Sequence, residues 1–160
     1  MLLIITFKSF IHLTLSDCTF EQAGIISWKN LKSLSITYGY LDEDLIENIL
    51  SGSPLLKTFE LSHNYGVELL DITNKSVKNL SLIGYSNAMV KINAPHILSL
   101  AFKECLLSHA LVLLNVPSVI KAELDYCLDD LEKEEMLKGL IPSLRHVKNL
   151  QIGGSRWFKS

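Results

Sequence analysis

The sequence predicts an α/β solenoid of about seven irregular repeats, with a parallel β-sheet on its concave face and short helices and loops on its convex face. Three observations predict it. First, the stretch Leu31 to Asn64 carries one pattern twice, apolar-x-x-apolar-x-apolar-x-x-small or amide, as Leu31/Leu34/Ile36/Gly39 and Leu56/Phe59/Leu61/Asn64, with a short helical segment between the copies. Second, the pattern recurs as Phe10/Leu13/Leu15/Cys18, Val77/Leu80/Leu82/Tyr85, Ile97/Leu100/Phe102/Cys105, Val119/Ala122/Leu124/Cys127 and Val147/Leu150/Ile152/Ser155, off-type at Tyr85 and weakened at Ala122 and Ser155. Third, its second apolar slot falls at positions 13, 34, 59, 80, 100, 122 and 150, in steps of 21, 25, 21, 20, 22 and 28 residues.

Steps of roughly 20–29 residues are those of the leucine-rich repeat. The spacing has a direct cause. Alternate side chains of a strand point to opposite faces, so both residues of each L-x-L pair enter the core, and stacked repeats build a parallel sheet over a continuous apolar interior. A return segment brings the chain back, and its length can vary because it lies on the convex side.

The returns differ in how strongly they read as helix. After the second repeat Asp42 can cap, Glu43 and Asp44 suit the positive end of a helix dipole, and Leu45, Ile46, Ile49 and Leu50 form an inward stripe. Gly52 and Pro54 stop that helix. A second helix is expected from Leu128 to about Ile141. Leu131, Met136, Leu137 and Leu140 form its apolar side, Asp129/Lys133 and Glu134/Lys138 its i,i+4 pairs, and Pro142 its end. The returns Asn64 to Ser76 and Gly84 to Pro95 read as irregular, with short extended pieces at Leu69 to Ile72 and Val90 to Ile92.

At 160 residues the chain has the length of one domain, 1–160, able to bury a core without disulfides or metal. An apolar share of 48% and a mean hydropathy of +0.26 are high for a soluble monomer, so either much of each repeat is buried or part of the protein is missing. The net charge of −2 points to neither nucleic acid nor an anionic membrane, and no stretch approaches the roughly 18 apolar residues of a membrane span. Cys18, Cys105 and Cys127 are odd in number and unevenly spaced, which argues against a disulfide framework and for a reducing compartment. The start, MLLIITFKSF, reads poorly as a signal peptide, so the acceptor patterns at Asn74 and Asn79 are taken as chance matches and the expected location is cytoplasmic or nuclear.

No metal, nucleotide or nucleophile signature occurs, and no cofactor, metal or catalytic residue is expected. Cys105 and His109 lie four apart, as a metal or thiolate pair requires, but Cys105 occupies a turn slot like Cys18 and Cys127. The acidic clusters Asp42/Glu43/Asp44/Glu47 and Asp129/Asp130/Glu132/Glu134/Glu135 read as solvated helix faces. Of the five histidines, only His12 points toward the open face of the sheet. Function is expected on that face, formed by the residues flanking each apolar pair. These are His12/Thr14/Ser16, Ser33/Ser35/Thr37, Thr58/Glu60/Ser62, Asn79/Ser81/Ile83, Ser99/Ala101/Lys103, Lys121/Glu123/Asp125 and Asn149/Gln151/Gly153. The set is small and polar, without Trp, Tyr or Arg, the side chains that usually dominate binding energy.

Several phrases go beyond the generic repeat: WKNLKSLSI (Trp28 to Ile36), ILSGSPLLKTFEL (Ile49 to Leu61), KSVKNLSL (Lys75 to Leu82), INAPHILSLAF (Ile92 to Phe102), NVPSVIKAEL (Asn115 to Leu124) and HVKNLQI (His146 to Ile152). In this order they resemble the repeat region of plant F-box/leucine-rich-repeat proteins, including those that end in an FBD domain. The resemblance implies a non-catalytic module whose repeats recruit a protein target to an SCF-type ubiquitin ligase. Contact with the ligase adaptor is expected only where an F-box is present. Neither an F-box before Phe10 nor an FBD after Ser160 has room in this sequence, so the chain is expected to be a fragment of a longer protein. The alternatives are a repeat module unrelated to ubiquitin, for instance receptor-derived, or a non-functional truncated product.

Overall fold

The computed structural model describes residues 9–20, 24–84, 90–105, 111–126 and 138–153. Seven strands form one parallel sheet: β1 (His12–Ser16), β2 (Ser33–Thr37), β3 (Thr58–Ser62), β5 (Asn79–Ile83), β7 (Ser99–Cys105), β9 (Lys121–Tyr126) and β10 (Asn149–Gly153). A second parallel sheet holds β4 (Leu69–Asp71), β6 (Val90–Asn93) and β8 (Leu111–Asn115). From β3 to β9 the chain alternates between the two sheets, which makes a parallel solenoid with few helices.

The register of the main sheet is the one the leucine pattern requires. Leu13, Leu34, Phe59, Leu80, Leu100, Ala122 and Leu150 are successive partners across the strands, and so are Leu15, Ile36, Leu61, Leu82, Phe102, Leu124 and Ile152. In the five inner strands both residues of each pair are buried. Leu70, Ile72, Val90, Ile92 and Leu113 close the same core from the second sheet. The end strands differ: Leu13 and Leu15 are partly buried, while Leu150 and Ile152 are 42% and 39% exposed. These outermost strands pair on one side only among the described residues.

Two backbone devices repeat at the entrance to the strands. The carbonyls of Ile11, Lys32, Lys57, Lys78, Leu98 and Ile120 each accept two N–H groups from the next strand of the main sheet, at 2.8–3.1 Å. One turn earlier, Leu31, Leu56, Ile97, Val119 and Val147 donate back to the carbonyls of Trp28, Ser53, Ala94, Val116 and Leu144. Pro54, Pro95 and Pro117 fill the second position of three of these turns, where a fixed φ and a missing N–H are favourable.

The first predicted helix is present as α1 (Glu43–Gly52), with Leu45, Ile46, Ile49 and Leu50 buried. The Asp42 carboxylate caps it by accepting from the Leu45 N–H at 2.8 Å. Its C-terminus packs tightly: the Trp28 N–H donates to the Gly52 carbonyl at 2.8 Å, and a Cβ at Gly52 would collide with the Ile26 carbonyl. Of the second predicted helix, residues 128–137 and their ion pairs lie outside the described residues. At its far end the α-helical residues 138–140 stop at Leu140, where Pro142 is expected to end the helix, and a 3-10 turn, Ile141–Leu144, follows with Pro142 near its start.

The expectation for the convex side needs correction. Between β3 and β9 the described returns are strands, not helices. The extended pieces expected near Leu69 and Val90 are β4 and β6, whereas β8 was not anticipated, because the apolar run around it shows no alternation. Cys105 also departs from its expected turn slot, since it is the last residue of β7 and pairs in register with Tyr126. An irregularity between Phe102 and Cys105 makes the strand longer than the pattern allows. Among the described residues no helix is long and apolar enough to cross a membrane.

Replacing Phe59 or Leu100 with aspartate places an unpaired charge in the stacked core, so either variant loses its cooperative thermal transition by circular dichroism. Leu150→Asp, at a half-exposed edge position, keeps it. A cooperative melt retained by both core variants would refute the register.

Candidate functional site

In every strand of the main sheet the residues between and beside the apolar pair face away from the core. The register sorts most of the expected face into two columns. His12, Ser33, Thr58, Asn79, Ser99, Lys121 and Asn149 form the first; Thr14, Ser35, Glu60, Ser81, Ala101, Glu123 and Gln151 form the second. None of these side chains is buried. Thr37 belongs to a third column with Ser16, Ser62, Ile83 and Lys103.

Several of these groups satisfy one another across strands. The Ser35 hydroxyl donates to Glu60 Oε1 at 3.0 Å, the Asn79 amide to Thr58 Oγ1 at 3.3 Å, and Lys103 Nζ lies 3.0 Å from Glu123 Oε1. The first two join register partners and the third is a diagonal contact, all of the kind that stabilises sheets, worth a few tenths to about 1 kcal/mol. The face is therefore a flat array of short donors and acceptors, partly engaged with itself.

The chain leaves this face through a second ordered array. The N–H groups of Asp17, Tyr38, His63 and Gly84 donate to the carbonyls of Thr37, Ser62, Ile83 and Lys103 at 2.7–3.0 Å, so each residue after a strand is tied to the next strand's end. Asp17, Tyr38, His63 and Gly84 have φ between 51° and 73°, the left-handed turn that lifts the chain off the sheet, and Glu104 at φ 55° marks the irregularity within β7. One residue later, Asn64 is buried and bonds the preceding repeat. It accepts from the Gly39 N–H at 2.7 Å and donates to the Ile36 carbonyl at 2.7 Å. The amide expected in the turn slot thus pairs two backbone groups that its own repeat cannot reach.

Aromatic rings gather along this rim. Tyr38 stacks on His63 with centroids 5.1 Å apart, and Tyr40 meets Tyr65 edge-on at 5.5 Å. The His63 ring passes over Gly84, where a Cβ would collide with the imidazole, and its Nε2 reaches Glu104 Oε2 at 3.4 Å. Its Nδ1 lies 2.9 Å from the Ser62 hydroxyl. Ser62, His63 and Glu104 are the residue types of a hydrolytic triad, but Ser62 is only 8% exposed and leaves no approach for a carbonyl substrate. The contacts orient the imidazole.

The repeat pattern points to the positions between the leucines and not to the rim. The signal for the rim lies beside the turn slot, since Tyr38-Gly39-Tyr40 and His63-Asn64-Tyr65 place rings on both sides of it in successive repeats. The other candidates stay apart. Among the described residues no group of three or more His, Cys, Asp or Glu is placed to hold a metal. Cys18 donates to the Ser16 carbonyl at 3.3 Å, His146 Nε2 lies 3.1 Å from the Val116 carbonyl, and Cys127 and His109 lie outside the described residues. Glu43, Asp44 and Glu47 line an open groove of about 290 Å³ between α1 and β4 with Ile46, Leu69, Asp71 and Thr73. They lie along α1, whose start at Glu43 follows Tyr40 closely in the chain.

Strands with an L-x-L core, a turn bridged by the Asn64 amide and variable returns, stacked in register, define a leucine-rich-repeat protein. The chain belongs to a plant F-box/leucine-rich-repeat family: residues 3–124 match the family described as FBD-associated F-box protein At5g56370, LRR repeats. It is similar to the F-box protein At5g03100 of Arabidopsis thaliana, 29% identical over 155 residues that cover 90% of this chain and 50% of the relative. It is also similar to the F-box/LRR-repeat protein At5g02910 of Arabidopsis thaliana, 30% identical over 139 residues that cover 81% of this chain and 30% of the relative. The chain thus spans half or less of the length of these relatives. No solved structure matches it.

Asn64→Ala strands two buried backbone groups. It is expected to lower the unfolding free energy by about 2 kcal/mol or more, read as a lower urea midpoint at an unchanged slope.

Proposed function

We propose that this chain is the protein-recognition part of a plant F-box/leucine-rich-repeat protein. It acts without catalysis, by binding a target that an SCF-type ligase then ubiquitinates. Counting one repeat for each strand of the main sheet, it comprises about seven irregular repeats in a single domain over 1–160, part of a longer protein. The repeats hold the target, and the adaptor is contacted by an F-box. Its place of action is the cytoplasm or nucleus.

One observation carries this reading. The register collects His12, Thr14, Ser35, Thr37, Thr58, Glu60, Asn79, Ser81, Ser99, Lys103, Lys121, Glu123, Asn149 and Gln151 on one continuous face of the seven-stranded sheet. A rigid sheet positions such groups with little entropy left to lose on binding. Family membership supports a protein as the ligand, since the relatives are named as F-box proteins.

Proximity labelling tests it. The chain joined to a biotin ligase in plant cells is expected to label a reproducible set of proteins. Asn79→Leu with Ser81→Leu, which blocks the middle of the face, cuts the labelling of the bound target about tenfold while the melting curve stays the same. An identical labelled set from both proteins would reject the open face as the binding surface.

A further inference from the structure

The open face contains no large aromatic side chain, yet the rim beside it displays three tyrosines. Tyr38, Tyr40 and Tyr65 are 50–58% exposed and lie in two successive repeats. Their backbones are joined: Leu41 donates to the Tyr65 carbonyl at 2.9 Å, and Tyr65 donates to the Gly39 carbonyl at 3.1 Å. Exposed rings clustered this way are unlike isolated apolar residues at a surface, and tyrosine is among the side chains that anchor interfaces.

The rings are also held in place before any partner arrives. His63 is fixed by Ser62 at one nitrogen and by Glu104 at the other, in the space that Gly84 leaves open, and Tyr38 rests on the imidazole. Tyr40 packs its edge against Tyr65, and its ring closes over Gly66, where a Cβ would stand 2.8 Å from Tyr40 Cε2. Binding to such a surface freezes few additional rotamers.

Charge along the rim selects the partner. The column of left-handed residues runs Asp17, Tyr38, His63, Gly84, Glu104, with Glu104 paired to His63 and no lysine or arginine among the five. The exposed carboxylates Asp42 and Glu43 follow Tyr40 in sequence, and the base next to Glu104, Lys103, is engaged with Glu123. Aromatic faces carry the negative lobe of the ring quadrupole, so exposed rings in an acidic stretch attract a cation, and most strongly one with a planar or flexible apolar stem.

We propose that the tyrosine rim at the strand ends is a second anchor for the partner beside the open face, and that it takes a lysine- or arginine-bearing segment of a protein. This rests on the reading of the chain as a protein-binding module. It adds the rim to the open face and gives the partner's segment a charge.

Fluorescence anisotropy on the full chain tests the rim with three labelled peptides of equal length, one of Lys/Arg-Gly-Ser repeats, one with Glu in place of the bases and one with Gln. The basic peptide is expected to bind at least about tenfold more tightly than the Glu peptide. Tyr38→Ala with Tyr65→Ala removes that preference, Tyr38→Phe with Tyr65→Phe restores it because the rings remain, and Lys91→Ala, on the second sheet, leaves it intact. Equal binding of basic and acidic peptides, no binding of any peptide, or basic-peptide binding unaffected by the alanine pair each overturns the rim. Loss of the preference in Asn79→Leu with Ser81→Leu but not in the alanine pair also overturns the rim and returns the contact to the open face. The labelling experiment decides independently whether the chain binds a protein at all.

Discussion

Every strand of the main sheet but β10 begins beside a carbonyl that accepts two N–H groups from the next repeat, and that shared acceptor sets the register of the strand that follows. With the start pinned, the two-residue period of a strand sends the second and third apolar residues inward and the short polar ones outward. A slip of one position would exchange the two sets, putting Ser35 and Glu60 where Ile36 and Leu61 now lie. The hydrogen-bond ladder and the apolar ladder therefore enforce one another. That mutual constraint lets returns of unequal length and different structure connect otherwise equivalent strands.

The turns on either side of the strand do different work. On the entry side, Pro54, Pro95 and Pro117 bend the chain into a short hydrogen-bonded turn and deliver the first apolar residue to the core. On the exit side, residues in the left-handed conformation lift the chain off the sheet, and Asn64 bridges to the turn before it. The exit side carries the exposed rings Tyr38, Tyr40 and Tyr65. Its backbone is over-determined by the neighbouring strand, so its side chains project from a rigid base, whereas the acidic helix face of α1 lines only an open groove.

Much of this was legible in the chain. The leucine spacing located all seven strands of the main sheet, and the cap at Asp42 with the stripe Leu45/Ile46/Ile49/Leu50 located α1. Less legible were β8, hidden in the unbroken apolar run Leu111 to Leu114, and the extension of β7 through Cys105. A continuous apolar run has no period by which strand and helix can be told apart. The outward positions of the strands could be enumerated, but which of them spend their polar groups on each other, as Ser35 and Glu60 do, could not.

By itself the sequence determined the repeat and its register, because both depend on spacing along the chain and spacing is local, while the family rested on the resemblance of particular phrases and the match over residues 3–124. It also placed rings on both sides of the turn slots at Tyr38/Tyr40 and His63/Tyr65. Only the tertiary structure decided that these rings meet, that Gly84 opens the path from His63 to Glu104, and that they form a rim. The physical reason is stacking: residues 25 positions apart, such as Tyr38 and His63, become neighbours only when one repeat is laid on the next.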